Sequence, residues 1–229
     1  MRNVKVIVEQ VARLWLVLIM GVSMNADAGW LGLGGDSWKE EVLLHDGQTI
    51  IVKRSQSYGG RGEIGQNAPI REHTLSFTLP NTSKTIKWKS EYSEDVGRAN
   101  FNLLALHVLD ATPYVVAEPN LCLSYNKWGR PNPPYVLFKY DGKTWLRIQM
   151  SELPVEFKTI NVSLDIRSRP GQELVAMGKV PYQEIVKRNA HAETPHFKSI
   201  LREPYAAGGP CAQDSSGPKA PTIPKTSQK

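Results

Sequence analysis

Along most of this chain hydrophobic residues recur at every second position. Thr74-Leu-Ser-Phe-Thr-Leu79 places Leu75, Phe77 and Leu79 on one side. Lys84-Thr-Ile-Lys-Trp-Lys89 does the same with Ile86 and Trp88, leaving Lys87 and Lys89 opposite. Ile160-Asn-Val-Ser-Leu-Asp-Ile166 opposes four apolar residues to three polar ones. A period of two is that of a strand with one buried and one wet face, the usual condition in antiparallel sheets. Two Asp-Gly pairs lie between apolar arms: Asp46-Gly47 between Val42 and Val52, and Asp141-Gly142 between Tyr135 and Ile148. They predict hairpins closed by type I′ turns, whose two central residues both need positive φ. Their shared layout is what a duplication or two independent hairpins would give alike.

Phe101-Asn-Leu-Leu-Ala-Leu-His-Val-Leu109 reads two ways. Phe101, Leu104, Ala105 and Val108 match a helical stripe, but the run is short and is followed by Pro113 and Tyr114-Val-Val116. A fully buried strand is the expectation, with His107 as a packed core residue. Leu121 to Tyr125 adds a further predicted strand. The outcome is a mainly β fold of about ten strands from residue 38 to 167, an antiparallel sandwich or small barrel.

The character changes after residue 167. Arg167-Ser-Arg-Pro-Gly171 breaks the alternation. Pro181 to Asn189 predicts one short C-terminal helix, with Pro181 in its first turn and Glu184 paired to Arg188. From Ala206 the chain is rich in Gly, Pro, Ser and Lys, which predicts a disordered tail. At the other end, Arg2, Lys5 and Arg13 precede the apolar run Leu14–Met24, and Ala26-Asp27-Ala28 follows it. Eleven apolar residues are too few for an ordinary membrane anchor, which takes about 20. The pattern is that of a secretory signal cleaved between Ala28 and Gly29; an uncleaved anchoring helix is the alternative. The expected organisation is a signal at 1–28, a flexible N-terminus at 29–37, a β-rich domain at 38–167, an extension at 168–205 and a tail at 206–229. After cleavage no transmembrane segment is expected, and the location is periplasmic or secreted.

Composition changes this picture little. Of 229 residues 41% are hydrophobic and 22% charged, which excludes wholesale disorder. Twenty-eight basic against 22 acidic side chains give a net charge of +6, mildly basic and no polycation. The two cysteines, Cys122 and Cys211, suit one disulfide in an exported chain, free thiols being the alternative.

Candidate chemistry is sparse. Gly60-Arg-Gly62-Glu-Ile-Gly65 satisfies G-x-G-x-x-G, but Pro69 follows where a helix would have to open, so a strand-connecting loop is expected rather than a phosphate cradle. His45, His73, His107, His191 and His196 have no metal-ligand spacing, and neither a metal nor another cofactor is expected. A G-x-S-x-G elbow is absent. Glu91, Glu94 and Asp95 read as a solvated loop. No nucleic-acid motif accompanies Lys84, Lys87 and Lys89, and anionic envelope polymers are the better partners for a basic surface.

The strongest binding candidate is Tyr125-Asn-Lys-Trp-Gly-Arg-Pro-Asn-Pro-Pro-Tyr135. Prolines stiffen such a loop, and a stiff loop presents Tyr125, Lys127, Trp128, Arg130 and Tyr135 at low entropic cost. The alternative is that Trp128 and Tyr135 fold back onto the core. The leading expectation is therefore a non-enzymatic module binding an envelope protein or polysaccharide, with no catalytic residue. A hydrolase of an envelope polymer, drawing on His73, His107, Glu91 or Asp95, is the second. A structural or assembly protein is the third. Oligomeric state stays open.

The run Cys122 to Gly142, with Trp145 and Ile148 after it, is similar to a segment of uncharacterised exported proteins of Gram-negative bacteria. Val42–Arg54 and Phe101–Val116 are similar too, so the likeness spans residues 38–165. It implies bacterial export and a single β-rich domain, and it carries no activity or ligand across.

Overall fold

In the computed structural model, which describes residues 35–62, 65–164, 166, 168–204 and 211, the alternating pattern becomes eleven strands. The first sheet runs β1 (Asp36–Leu43), β2 (Thr49–Tyr58), β3 (Ile70–Thr78) and β4 (Thr85–Lys89), each antiparallel to the last. A small hairpin, β5 (Tyr92–Ser93) and β6 (Arg98–Ala99), leads into the second sheet. That sheet is β7 (Phe101–Leu109), β8 (Thr112–Pro119), β9 (Val136–Tyr140) and β10 (Trp145–Ile148), again antiparallel in chain order. The last strand, β11 (Lys179–Val180), returns to the first sheet and pairs parallel to β1. Residues of the 168–205 extension are thus part of the β framework.

The sheets face each other across a core of Val42, Val52, Leu75, Phe77, Ile86 and Trp88 from the first and Phe101, Leu103, Leu106, Val108, Val115 and Val136 from the second. Burial of each such side chain contributes about 2 kcal/mol. Neither sheet closes into a barrel; the architecture is a sandwich. The far face of the second sheet is also covered, by Leu153, Phe157, Ile160 and Ile200 packed on Leu104, Ala105, Tyr114 and Val116. Hence β7 is apolar on both faces except at Asn102 and His107. A register shift between Leu103 and Ala105 puts Leu104 and Ala105 together on the far face. This bulge is also the source of the helix-like spacing in its sequence. His107 lies on that face, fully buried and stacked on Phe157 at 4.7 Å.

Several expectations are corrected. Leu121–Tyr125 is not a strand but the start of α1 (Leu121–Lys127), which buries Ser124 and Tyr125, exposes Leu121 and Leu123, and stops before Gly129 at φ +86°. The extension holds two helices, α2 (Arg169–Ala176) and α3 (Tyr182–Ala190), rather than one. Ser168 caps α2 by accepting the Gly171 N–H, and a Pro stands in its first turn, both ordinary start signals. Pro181 is the N-cap residue of α3 rather than a member of its first turn. Both hairpins form, but neither turn is type I′. Only Gly47 and Gly142 take positive φ, because Asp46 and Asp141 instead accept amides of the turn on their side chains, Gln48 N–H at 3.0 Å and Thr144 N–H at 2.7 Å. The proposed signal with its Ala28–Gly29 cleavage point, and the tail apart from Cys211, lie outside the described residues.

The largest departure is Ile160–Ile166. Ile160, Val162 and Ile166 are buried as expected and Leu164 partly so, yet the described residues form no strand, and Asn161 and Ser163 are dry rather than wet. Asn161 gives the reason. Its Oδ1 accepts Leu106 N–H at 2.9 Å, and its Nδ2 donates to the carbonyls of Leu106 at 2.7 Å and Leu43 at 2.9 Å. One side-chain amide thereby joins edge strand β7 of one sheet to the end of β1 in the other. On the opposite flank the Trp145 indole donates to the Lys87 carbonyl at 2.8 Å, linking β10 to β4.

Cys122 of α1 and Cys211 form a disulfide across 89 residues, with Cα atoms 5.7 Å apart. Among the described residues no helix is long and apolar enough to cross a membrane.

Two measurements follow. Asn161→Leu leaves three backbone groups without partners and should lower unfolding stability by about 3 kcal/mol in a urea titration. Cys211→Ser should lower it by up to about 5 kcal/mol, the loop-closure value for such a span, and reductant should then have no further effect.

Candidate functional site

The inner face of the first sheet changes character along its strands. At one end it is apolar. At the other, the same strand phase carries Glu40 on β1, Arg54 and Gln56 on β2, and His73 on β3, all buried. Glu40 is a fully buried carboxylate with four donors around it: the Trp38 indole at 2.6 Å, Arg54 Nη1 at 3.1 Å, Ser163 N–H at 3.2 Å and Ser163 Oγ. The Arg54 guanidinium also lies 5.2 Å from the Trp38 ring centre. Ser163 belongs to the crossing segment, so the ion pair holds that segment against the sheet.

Beside this network Gln56 Nε2 donates to His73 Nδ1 at 3.1 Å, which leaves the imidazole proton on Nε2. Burial, and after it the Arg54 charge, pushes the His73 pKa down to about 3. The ring is therefore neutral and cannot serve as a cationic anchor. Among the described residues, neither His73 Nε2 nor Arg54 Nε has a hydrogen-bond partner.

These side chains wall a cavity of about 600 Å³ between the sheets, within the size range of small-molecule sites. Arg54, Gln56 and His73 line it from the first sheet, and Asn102 and Glu118 from the start of β7 and the end of β8. Leu103, Leu104, Leu164, Ile166 and Phe197 add apolar wall, and Arg188, His191 and Ala192 at the end of α3 stand at its exposed side. Glu118 Oε1 meets His196 Nε2 at 2.9 Å, both nearly buried. Among the described residues, Ser163, whose hydroxyl donates to Glu40, is the one hydroxyl side chain in the wall. Among the described residues no three His, Cys, Asp or Glu side chains gather in a group able to hold a metal ion.

The sequence candidates lie elsewhere. Tyr125 and Tyr135 are buried, and the Tyr135 hydroxyl lies within bonding distance of the His196 and Ser199 carbonyls while accepting Leu201 N–H at 3.2 Å. Trp128 is half-buried, packed on Phe101 at 4.6 Å with the Arg147 guanidinium 5.3 Å from its ring. Lys127 bonds Asp95 at 3.0 Å, and hydrogen bonds from Ser93 and Lys127 hold the Asp95 carboxyl below its usual range. Arg130 alone of the five is exposed, bonded to Asn126 at 2.7 Å. The loop's aromatics fold back onto the core. Of the residues named for hydrolysis, His73 lines the cavity, His107 packs under Phe157, and Glu91 and Asp95 gather at Lys127. Among the described residues of the glycine-rich loop no helix opens; Gly60 comes so close to Gly97 that a Cβ would stand 2.3 Å from its carbonyl oxygen.

Arg54, Gln56, Asn102 and Glu118 were missed by the sequence reading. Their signal is present nonetheless: Trp38-x-Glu40-x-Val42 and Val52-x-Arg54-x-Gln56 put ionic and polar groups on the apolar phase of two paired hairpin arms. No family model matches this chain, and no curated protein or solved structure matches it.

His73 and His107, the latter pushed down to about 4 by burial, stay neutral in the fold but gain protons on unfolding below about pH 6.5. The unfolded chain then binds more protons, so stability should be level above about pH 6.5. It should fall below that by about 1.4 kcal/mol per pH unit for each ring. Denaturation midpoints across this range measure it, and His73→Gln should make the decline shallower.

Proposed function

We propose that this chain is a non-enzymatic binding protein of a bacterial envelope, exported through its N-terminal signal, that takes a small ligand or a protruding group of a larger one into the inter-sheet cavity. The observation that carries this is the convergence of Arg54, Gln56, His73, Asn102 and Glu118, from four strands of both sheets, on one cavity of about 600 Å³. Apolar wall beside convergent polar groups suits a ligand with a polar head and a hydrocarbon body. Binding rather than turnover is favoured by the wall's chemistry. The Ser163 hydroxyl is committed to Glu40, and the His73 imidazole is held neutral far below neutral pH. The disulfide suits an oxidising compartment such as the periplasm. The 125–135 loop serves this reading as framework, since its aromatics support β7 and the segment after α3.

The test is native mass spectrometry of the full chain recovered from a bacterial periplasm. The mature N-terminus should be Gly29, and the folded protein should carry a small adduct that denaturation releases. Ala192→Trp, which fills the mouth of the cavity, should abolish the adduct without lowering the melting temperature. An identical adduct in both proteins, or none in either, overturns the cavity as the site.

A further inference from the structure

The outer face of the first sheet carries a charge pattern that packing does not require. Strand register sets Lys179 beside Lys39, Lys39 beside Lys53, Lys53 beside Ser76 and Ser76 beside Lys87. Four lysines thus occupy one straight row across all five strands, spanning about 19 Å at the usual strand spacing. Lys39, Lys53, Lys87 and Lys179 are all exposed. Like charges directly opposite one another destabilise a sheet, and Lys39 stands between two of them. Glu41 offsets Lys179 at 2.6 Å, and Glu72 offsets Lys89 nearby. Among the described residues Lys39, Lys53 and Lys87 have no acidic partner within ion-pair distance.

The neighbouring rows narrow the partner. One is Ser37, Ser55 and Thr74, ending at Lys89; the other contains Glu41, Ile51, Thr78 and Thr85. They offer hydroxyls, no aromatic ring on which a nucleobase could stack, and a single exposed apolar side chain, Ile51. A membrane surface is held by several apolar groups sunk into the interface together with basic ones. A line of ammonium groups flanked by hydroxyls instead complements a linear polymer that carries regularly spaced anions among its own hydroxyls.

We propose that this face binds an acidic polysaccharide laid along the lysine row, independently of the cavity. The probe is polygalacturonate, one carboxylate per sugar, titrated calorimetrically at low salt into the purified disulfide-bonded chain. Replacing Lys39, Lys53 and Lys87 together with Thr should weaken binding by about tenfold or more. The same change at Lys139, Lys158 and Lys198, which lie toward the far face of the second sheet, should weaken it by no more than about twofold. Ala192→Trp should bind like the unaltered chain, which separates failure of this proposal from failure of the cavity reading. Thr suits an exposed strand and removal of the row relieves repulsion, so the melting temperature should not fall; Lys53→Thr alone gives a graded loss if the triple variant is poorly folded. Equal weakening in both triple variants, unaltered binding in the row variant, or tighter row-dependent binding to phosphatidylglycerol vesicles than to polygalacturonate would overturn the proposal.

Discussion

A carboxylate withdrawn from water destabilises a protein unless donors surround it, and Glu40 is surrounded. Its partners come from three separate stretches: Trp38 on its own strand, Arg54 on the next, and Ser163 from far along the chain. This arrangement does more than neutralise a charge. It fixes where the segment 160–166 crosses the sandwich, and two residues earlier Asn161 seats its amide between the sheets. The cavity wall at Leu164 and Ile166 and the placement of α2 and α3 over Trp38 and Val180 depend on that crossing. Losing one partner of such a pair leaves the other charge buried, a more severe change than losing both.

The site arises from a division within one face. The first sheet is greasy where Val42, Val52, Leu75 and Phe77 meet the second sheet, so the two halves close tightly there. Where Arg54, Gln56 and His73 point inward, the opposing strands supply Asn102 and Glu118, and the halves stand apart enough to leave space. The same strands that build the hydrophobic core therefore also build the recess, by a change of residue type partway along their length.

How much of this was readable in the sequence depended on whether neighbours in space were needed. Leu75, Phe77, Ile86 and Trp88 bury by alternation alone, and the strands followed. Leu121–Tyr125 was misread because a five-residue apolar run has no period of its own; Gly129 was the better clue. Ile160–Ile166 carried a strand's pattern without a strand's partner. Asn161 and Ser163 look like solvent-facing residues until the Leu106 and Glu40 groups they bond are in view. The loop at 125–135 misled for a related reason, since its aromatics had as much to gain from Phe101 and the His196–Leu201 segment as from a ligand. Only the inward charges at Glu40 and Arg54 were legible and passed over.

The two bonds that close the flanks of the sandwich have a further effect. A strand from another molecule adding to β7 would first have to displace the Asn161 amide from Leu106, and one adding to β4 would have to displace the Trp145 indole from Lys87. Sheet edges left open act as templates for runaway association. Here one point on each of these two edge strands, β7 and β4, is already taken by a side chain of the same molecule, so an added strand would meet a broken ladder there.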